Sequence, residues 1–376
     1  MAAPVDPSFA PLLLALPSFT PSLALEVLPA GLTIHRLFVQ ADAKVRPSPP
    51  HPFPMLTPQT HDILIGPEDP AGHLTQRYTN TIIGRYANRL PVGSFPISRN
   101  GLSATVTPLS NESDTVSLHG GRRGFDDYTW EPLADPSAAE LFTKAEADTI
   151  QARVPSSAVF TRVSEDGEEG FPGRLRVEVL VGLLQPEGAP TLTQKEWNLG
   201  SVLLVYRAKL LDPGKVTPIN LTQHWGFNLD ASLQESLSVQ DHKISIAADN
   251  TIALTPEKLS AGSLAPVTST AHAHAKKPDG RIGAHAYDEF YLFSAARREH
   301  AFADARTRVR VHTHAGPRAG CARGAEEVVR LEGARSGLRV GFTTNRAYHF
   351  PSSPSYPRSP ACISAGVRRI GRTVLH

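Results

Sequence analysis

The segment that decides the fold is Ser201-Val-Leu-Leu-Val-Tyr-Arg-Ala-Lys-Leu-Leu211, followed by an Asp212-Pro-Gly turn and then by Asn220-Leu-Thr-Gln-His-Trp-Gly-Phe-Asn-Leu-Asp230. Apolar residues dominate the first part, and proline and glycine close it, which is typical of a buried strand that enters a turn. The stretch from Val216 to Leu229 predicts a second strand. Together the two strands indicate a sheet with one histidine, His224, on its second strand.

His224 is the first candidate for chemistry, because a histidine can give or take a proton near neutral pH. The neighbouring rings of Trp225 and Phe227 suit the apolar face of a sugar ring. The alternative is a buried histidine that is hydrogen-bonded inside the sheet. This stretch alone leaves both interpretations open.

Short strand-like segments separated by glycine, proline and asparagine recur along the whole chain, and no long amphipathic helix is evident. This pattern predicts an all-β fold, a sandwich or a barrel. The predicted strands, besides the two above, lie within residues 23–40, 62–65, 95–101, 116–121, 159–164, 175–184, 238–247, 251–254, 287–293, 326–332 and 337–344.

We predict one large domain over residues 1–345, with a proline-rich insertion near 41–60 and an atypical, poorly ordered tail at 346–376. Six prolines crowd the insertion, and proline does not fit a central strand. From Gly333 to the C-terminus there are seven arginines and no lysine, aspartate or glutamate. The rest of the chain carries 31 basic and 36 acidic residues, so the tail differs from the body.

Composition excludes several classes of function. A net charge of +2 argues against nucleic acid as a partner, and no apolar run reaches the ~20 residues of a membrane helix. We expect a cytoplasmic protein without a cofactor; the oligomeric state is not predicted. Two cysteines indicate no disulfide framework. No metal site is predicted, because the His-x-His pairs at 272/274 and 312/314 lack further ligands.

Four groups of residues stand out in chain order: Gly84-Arg-Tyr-Ala-Asn-Arg89, Leu118-His-Gly-Gly-Arg-Arg-Gly-Phe125 with Trp130, Asn220-Leu-Thr-Gln-His-Trp-Gly-Phe-Asn-Leu229, and Tyr287-Asp288. Together they resemble the aldose 1-epimerase (galactose mutarotase) family. That resemblance implies a large antiparallel β-sandwich that opens and recloses hexose rings, exchanging α and β anomers of free galactose or glucose.

The resemblance also implies roles for individual residues. His224 corresponds to the general acid that protonates the ring oxygen. Ring opening needs that proton, together with removal of a proton from the C1 hydroxyl. The residues implied to hold the sugar, all expected to line one cleft with His224, are Asn88, Arg89, His119 and Asp288.

Two positions depart from the family pattern. Trp225-Gly226 stands where the family has a small residue and then an aromatic one. The family's base is a glutamate near the C-terminus, yet no acidic residue follows Glu332, so no base is assigned. The sequence therefore predicts a weak mutarotase or none. The alternatives are a non-catalytic sugar-binding protein of the same fold, or a hexose-phosphate epimerase relative with Arg122 or Arg123 at the phosphate.

Overall fold

The computed structural model describes residues 6–17, 22–40, 60–186, 196–230, 238–269, 280–283, 290–293, 305–314 and 327–344. Within these ranges one α-helix, α1 (Lys144–Arg153), accompanies many strands. The strands are β1 (Leu12–Ala15), β2 (Leu23–Leu28), β3 (Thr33–Gln40), β4 (Thr60–Asp62), β5 (Ile82–Ile83), β6 (Arg89–Pro91), β7 (Phe95–Arg99), β8 (Leu102–Val106), β9 (Val116–Leu118), β10 (Glu131–Pro132), β11 (Ser156–Ser164), β12 (Leu175–Leu184), β13 (Glu196–Leu210), β14 (Thr222–Gln223), β15 (Lys243–Ile246), β16 (Ala248–Leu254), β17 (Ser260–Pro266), β18 (Tyr291–Phe293), β19 (Ala305–His314), β20 (Val329–Glu332) and β21 (Leu338–Thr344). Short 3-10 turns cover Pro7–Phe9, Pro70–Leu74, Phe125–Asp127, Pro136–Ala138, Glu168–Gly170 and Val267–Ser269.

Two antiparallel sheets form the sandwich. The larger has eight strands in the order β10-β11-β12-β13-β19-β21-β20-β15, and the smaller has four in the order β1-β2-β3-β4. The long strand β13 pairs with β12 on one side and with β19 on the other. The predicted all-β, antiparallel sandwich is confirmed.

The hydrophobic core lies between the two sheets. Alternate side chains of β12, such as Val177 and Val179, are fully buried together with Leu23 and Leu25 of β2. Because side chains alternate between the faces of a strand, each sheet directs one apolar row into this layer. Burying a side chain of this size contributes about 1.5–3 kcal/mol.

The opposite face of the large sheet is covered by α1, which the sequence analysis did not predict. Thr143 caps the helix: its hydroxyl accepts from the Glu146 N–H, and the Glu146 carboxylate accepts from the Thr143 N–H at 2.9 Å. This reciprocal pair is a capping box, which satisfies N–H groups that the first helical turn leaves open. Ile150 of the helix then packs with Leu180 and Val205 of the sheet.

The prediction of one continuous strand from 216 to 229 is wrong. In this interval only β14 pairs as a strand, with β5. The His224 N–H then donates to the Thr81 carbonyl at 2.9 Å, whereas the Asn228 N–H donates to the Ile63 carbonyl at 3.0 Å. The backbone thus passes from one neighbouring segment to another, so no single ladder spans it.

Several predictions fall on parts of the chain outside the described ranges. These are the insertion, except for Thr60, which begins β4, and the tail at 346–376. The domain boundary at 345 therefore stays a prediction. The helices of the described ranges are too short or too polar to span a bilayer.

Buried histidines link the stability of the fold to pH. Nδ1 of His35 lies 3.1 Å from Nε2 of His73, and burial, followed by the neighbouring His35, lowers the pKa of His73 to about 4. Burial also lowers the pKa of His35 and that of His242, whose Nε2 accepts from the Leu229 N–H at 3.0 Å. All three side chains are therefore neutral in the folded protein at neutral pH.

We expect the free energy of unfolding to fall as the pH is lowered from about 6.5 towards 4. In that pH window the histidines of the unfolded chain bind protons, whereas the buried histidines of the folded chain stay neutral, so acid favours unfolding. Urea titrations at pH 7.5 and at pH 5 measure the difference. The variant His73→Gln removes one of these groups and should reduce the loss. An unfolding free energy that is equal at both pH values for the unchanged chain would contradict the expectation.

Candidate active site

The antiparallel pair of β6 with β9 brings two of the predicted site segments together. Arg89 pairs with Leu118, and beyond that pair the His119 N–H donates to the Asn88 carbonyl at 3.1 Å. The Asn88 N–H in turn donates to Nδ1 of His119, also at 3.1 Å. Asn88 and His119 have φ angles of 75° and 56°, a left-handed conformation that ends both strands at the same place.

The bond to Asn88 fixes the protonation pattern of His119. A backbone N–H can only donate, so Nδ1 of His119 must accept, and in the neutral ring the proton then sits on Nε2. His119 can therefore offer an N–H to a ligand oxygen. It is poorly suited to act as a base while Nε2 carries this proton.

His224 lies beside His119, although the two are far apart in the chain. Their ring centroids are 5.3 Å apart and the ring planes stand at 77°. Two backbone bonds to the same neighbouring segment place His224: its N–H donates to Thr81, and its carbonyl accepts from the Asn80 N–H at 2.9 Å. The ring is only partly buried, so it can reach a ligand.

The expectation that Trp225 and Phe227 face a sugar ring is wrong. Both are buried in the hydrophobic core, and their rings stack on each other at a centroid distance of 5.5 Å. Phe227 also packs edge-on against Phe342. In an extended segment successive side chains point to opposite sides, so the partly exposed His224 and the buried Trp225 face different ways.

An aromatic ring that the sequence pattern did not single out, that of Tyr78, lies beside His119. Its centroid lies 4.9 Å from that of His119 and 4.8 Å from the Arg77 guanidinium carbon. Burial, and then the negative charge of Asp126, raises the pKa of the Tyr78 hydroxyl, which stays protonated at neutral pH. The sequence signal was position alone: Tyr78 opens the polar stretch that leads to Asn88.

Glycine is required in the turn after His119. Gly120 has a φ of 92°, and a Cβ atom there would lie 2.0 Å from the carbonyl oxygen of Gly84. The two loops can approach this closely only because Gly120 has no side chain. This contact holds the His119 loop against the loop that leads to Asn88.

The two arginines of the Gly84–Arg89 group have different environments. Arg89 forms a bidentate pair with Glu112, in which Nε and Nη2 lie 2.5 and 2.6 Å from the carboxylate oxygens. Arg85 is buried, donates to the carbonyls of Pro172 and Gly173 at 3.1 and 2.8 Å, and has its pKa lowered to about 10 because of that burial. Arg85 therefore ties loops together and is not part of the candidate site.

Arg122 and Arg123 follow the glycine turn and are engaged by protein acceptors. The Glu169 carboxylate accepts from their two backbone N–H groups at 2.8 and 3.2 Å. The Arg122 Nε donates to the Ser110 carbonyl, and the Arg123 Nε pairs with Asp127 at 3.0 Å. A carboxylate of the protein thus occupies the backbone anion site at this turn.

Asp288, the remaining predicted sugar ligand, lies outside the described ranges. The same is true of every residue after 344, where the family's base belongs. Among the residues that can be described, no group of three or more His, Cys, Asp or Glu is arranged to hold a metal ion.

The described part of the chain is thus an antiparallel sandwich in which two adjacent histidines lie beside an Asn-Arg pair. Residues 54–319 match the family model described as Aldose 1-epimerase, so the chain belongs to the aldose 1-epimerase family. The human galactose mutarotase is 33% identical over 233 residues, which cover 61% of this chain and 54% of that protein. The Escherichia coli aldose 1-epimerase is 27% identical over 198 residues, 52% of this chain and 45% of that protein. This chain therefore spans about half the length of the relatives it matches.

The fold has a solved counterpart. The crystal structure of an aldose epimerase homologue from C. elegans superimposes with a TM-score of 0.52 over 88% of this chain and 89% of that one, at 17% sequence identity. At this identity the likeness supports the fold and nothing finer.

Proposed function

We propose that the chain binds free hexoses such as galactose and glucose at the His119–His224 site and accelerates the interconversion of their α and β anomers. The observation that carries the proposal is the 5.3 Å contact between the two histidine rings, next to the Asn88–Arg89 pair, in a member of this family. Relatives at 33% and 27% identity are named for galactose and for aldose sugars.

The proposed mechanism divides the proton work between the two histidines. His224 gives a proton to the ring oxygen as the C1–O5 bond breaks, and takes it back when the ring recloses on the other face. His119 donates from Nε2 to a sugar oxygen and holds the ring in place. Arg89 and Asn88 bind further hydroxyls, and Asp288 is proposed to accept from a pair of them. The base that removes the C1 hydroxyl proton is not assigned.

Free sugars, rather than sugar phosphates, are the proposed substrates. Glu169 already holds the backbone N–H groups of Arg122 and Arg123, and a phosphate would have to displace this carboxylate. That observation weighs against the hexose-phosphate epimerase alternative. The cytoplasmic location stays a prediction.

Non-catalytic sugar binding is the second candidate function, and the absence of any acidic residue after Glu332 in the sequence favours it. Polarimetry with freshly dissolved α-galactose and α-glucose, beside a calorimetric titration with the same sugars, separates the two. Mutarotation faster than in buffer supports the epimerase. Binding without acceleration supports the second candidate. If the sugars are neither bound nor interconverted faster than in buffer, both candidates are refuted.

A graft tests directly whether a C-terminal carboxylate acts as the base. A family-type C-terminal segment with its glutamate, joined after Asn345, should raise the mutarotation rate of a chain that already binds sugar. A matched graft carrying glutamine at that position is the control. If the unchanged chain turns over as fast as the graft, another residue serves as the base.

A further inference from the structure

Glu112 is the acidic residue that faces the site arginine. Both of its carboxylate oxygens accept from Arg89, at 2.5 Å from Nε and 2.6 Å from Nη2. Only 12% of the Arg89 side chain and 32% of the Glu112 side chain are exposed. A two-point contact of this kind fixes the plane of the guanidinium group as well as its position.

The contact also determines which donors of Arg89 remain for a ligand. A guanidinium has five N–H donors, and two are directed at Glu112. The end of the group, formed by Nη1 and the second N–H of Nη2, points away from this carboxylate. That end presents two parallel donors, which match a pair of neighbouring hydroxyl oxygens on a sugar ring.

The turn that carries Glu112 is fastened to the strand that carries His119. The side chain of Asn111 donates to the Leu118 carbonyl at 2.9 Å and to the Gly121 carbonyl at 2.6 Å, and its Oδ1 accepts from the Leu118 N–H at 2.6 Å. These bonds lie on either side of His119 in the chain. Glu112 therefore has a fixed position relative to His119 as well as to Arg89.

Glu112 also lies within electrostatic reach of the other side of the site. The pKa of the Tyr78 hydroxyl is raised by burial first, then by Asp126, and to a smaller extent by Glu112. Since the Tyr78 ring contacts His119, and His119 contacts His224, the Arg89–Glu112 pair belongs to the same cluster as the histidines.

We propose that Glu112 is a positioning residue for sugar binding: it orients the Arg89 guanidinium so that the Nη1–Nη2 end faces the hydroxyls of a hexose bound beside His119. This inference rests on the proposed function. Stability is not the role we assign, and the melting temperature of each variant reports it separately from the affinity for sugar. The geometry of Arg89, and through it the affinity for sugar, is what Glu112 controls.

The test is Glu112→Gln in the full chain, with galactose as the titrated sugar. Glutamine keeps the size of the side chain but loses the charge and one acceptor. We expect the Kd, and KM where turnover is measured, to rise about tenfold, the lower end for a hydrogen bond to a charged group. We expect kcat to stay within about twofold, because no proton transfer passes through Glu112.

Asp114→Asn is the matched control, since it removes the same charge from an exposed position of the same turn. It should leave Kd and KM unchanged. A double-mutant cycle then shows whether Glu112 acts through Arg89: in an Arg89→Ala background, Glu112→Gln should have almost no further effect. If the loss of affinity in the double variant equals the sum of the losses in the two single variants, the assignment is overturned.

The outcomes distinguish this inference from the proposed function. If the unchanged chain binds sugar and Glu112→Gln binds it equally tightly, the inference is overturned and the proposed function stands. A fall in melting temperature that parallels the loss of affinity, with the same loss in Asp114→Asn, shows a structural role and also overturns it. Absence of binding by the unchanged chain refutes both.

Discussion

The variant His224→Ala should lose mutarotation by ~10²–10⁴-fold, the usual contribution of a general acid or base, or fall to the uncatalysed rate if the unchanged chain exceeds it by less. Alanine removes the only group proposed to protonate the ring oxygen. His224 is held by backbone bonds to Thr81 and Asn80, which alanine keeps. Folding and sugar binding should therefore change much less than the rate. Polarimetry measures the rate, and a galactose titration measures the binding.

Chemical rescue separates a proton-transfer role from a structural one. The space vacated in His224→Ala lies beside His119 at a partly exposed position, so free imidazole can enter it. Added imidazole should restore part of the rate, with a pH dependence set by imidazole itself. Equal rates for the variant and the unchanged chain would show that His224 is not the acid. A lost rate without rescue, together with a lowered melting temperature, would indicate a packing role.

The variant Asp230→Ala should lower the free energy of unfolding by about 3 kcal/mol, since it removes a buried acceptor shared by three backbone N–H groups, one of which belongs to the buried Ser336. The carboxylate is 6% exposed and accepts from the N–H groups of Ala334, Arg335 and Ser336 at distances between 2.9 and 3.4 Å. These residues form the turn between β20 and β21. Asp230 thus connects the end of the His224 segment to two strands of the large sheet.

Urea denaturation measures the loss, and Asp241→Ala is the matched control. Asp241 pairs with Arg281 at the surface, where both side chains are more than half exposed. Such pairs contribute little, so the control should unfold like the unchanged chain. If Asp230→Ala unfolds at the same urea concentration as the control, the three backbone bonds do not stabilise the turn as proposed here.

The hairpin at Asn100-Gly101 shows what a local signal can predict. Both residues have positive φ angles, 53° and 78°, and Arg99 pairs directly with Leu102. Asparagine and glycine tolerate this conformation, so the dipeptide by itself is a sufficient signal for a hairpin turn. The capping box at Thr143 is an equally local signal, and it marks the start of a helix that the strand pattern did not predict.

The His224 segment shows where local reasoning fails. Its alternation of residues indicated a strand, yet its hydrogen bonds divide between two neighbours that are distant in the chain. A side-chain amide interrupts the backbone pairing, because the Gly226 N–H donates to Oδ1 of Asn80 at 2.8 Å. Competition of this kind depends on which segments pack together, and the sequence of the segment does not contain that information.

The sequence by itself determined that strands dominate, where the tight turns lie, and which histidines and arginines carry the family pattern. Each of these depends on residue type and spacing along the chain. The tertiary structure alone decided that the ring of Tyr78, instead of that of Trp225, lies beside His119, and that Glu112 holds Arg89. The physical reason is that such contacts are made by backbone bonds and packing between distant segments, and these select which face of each strand a side chain occupies.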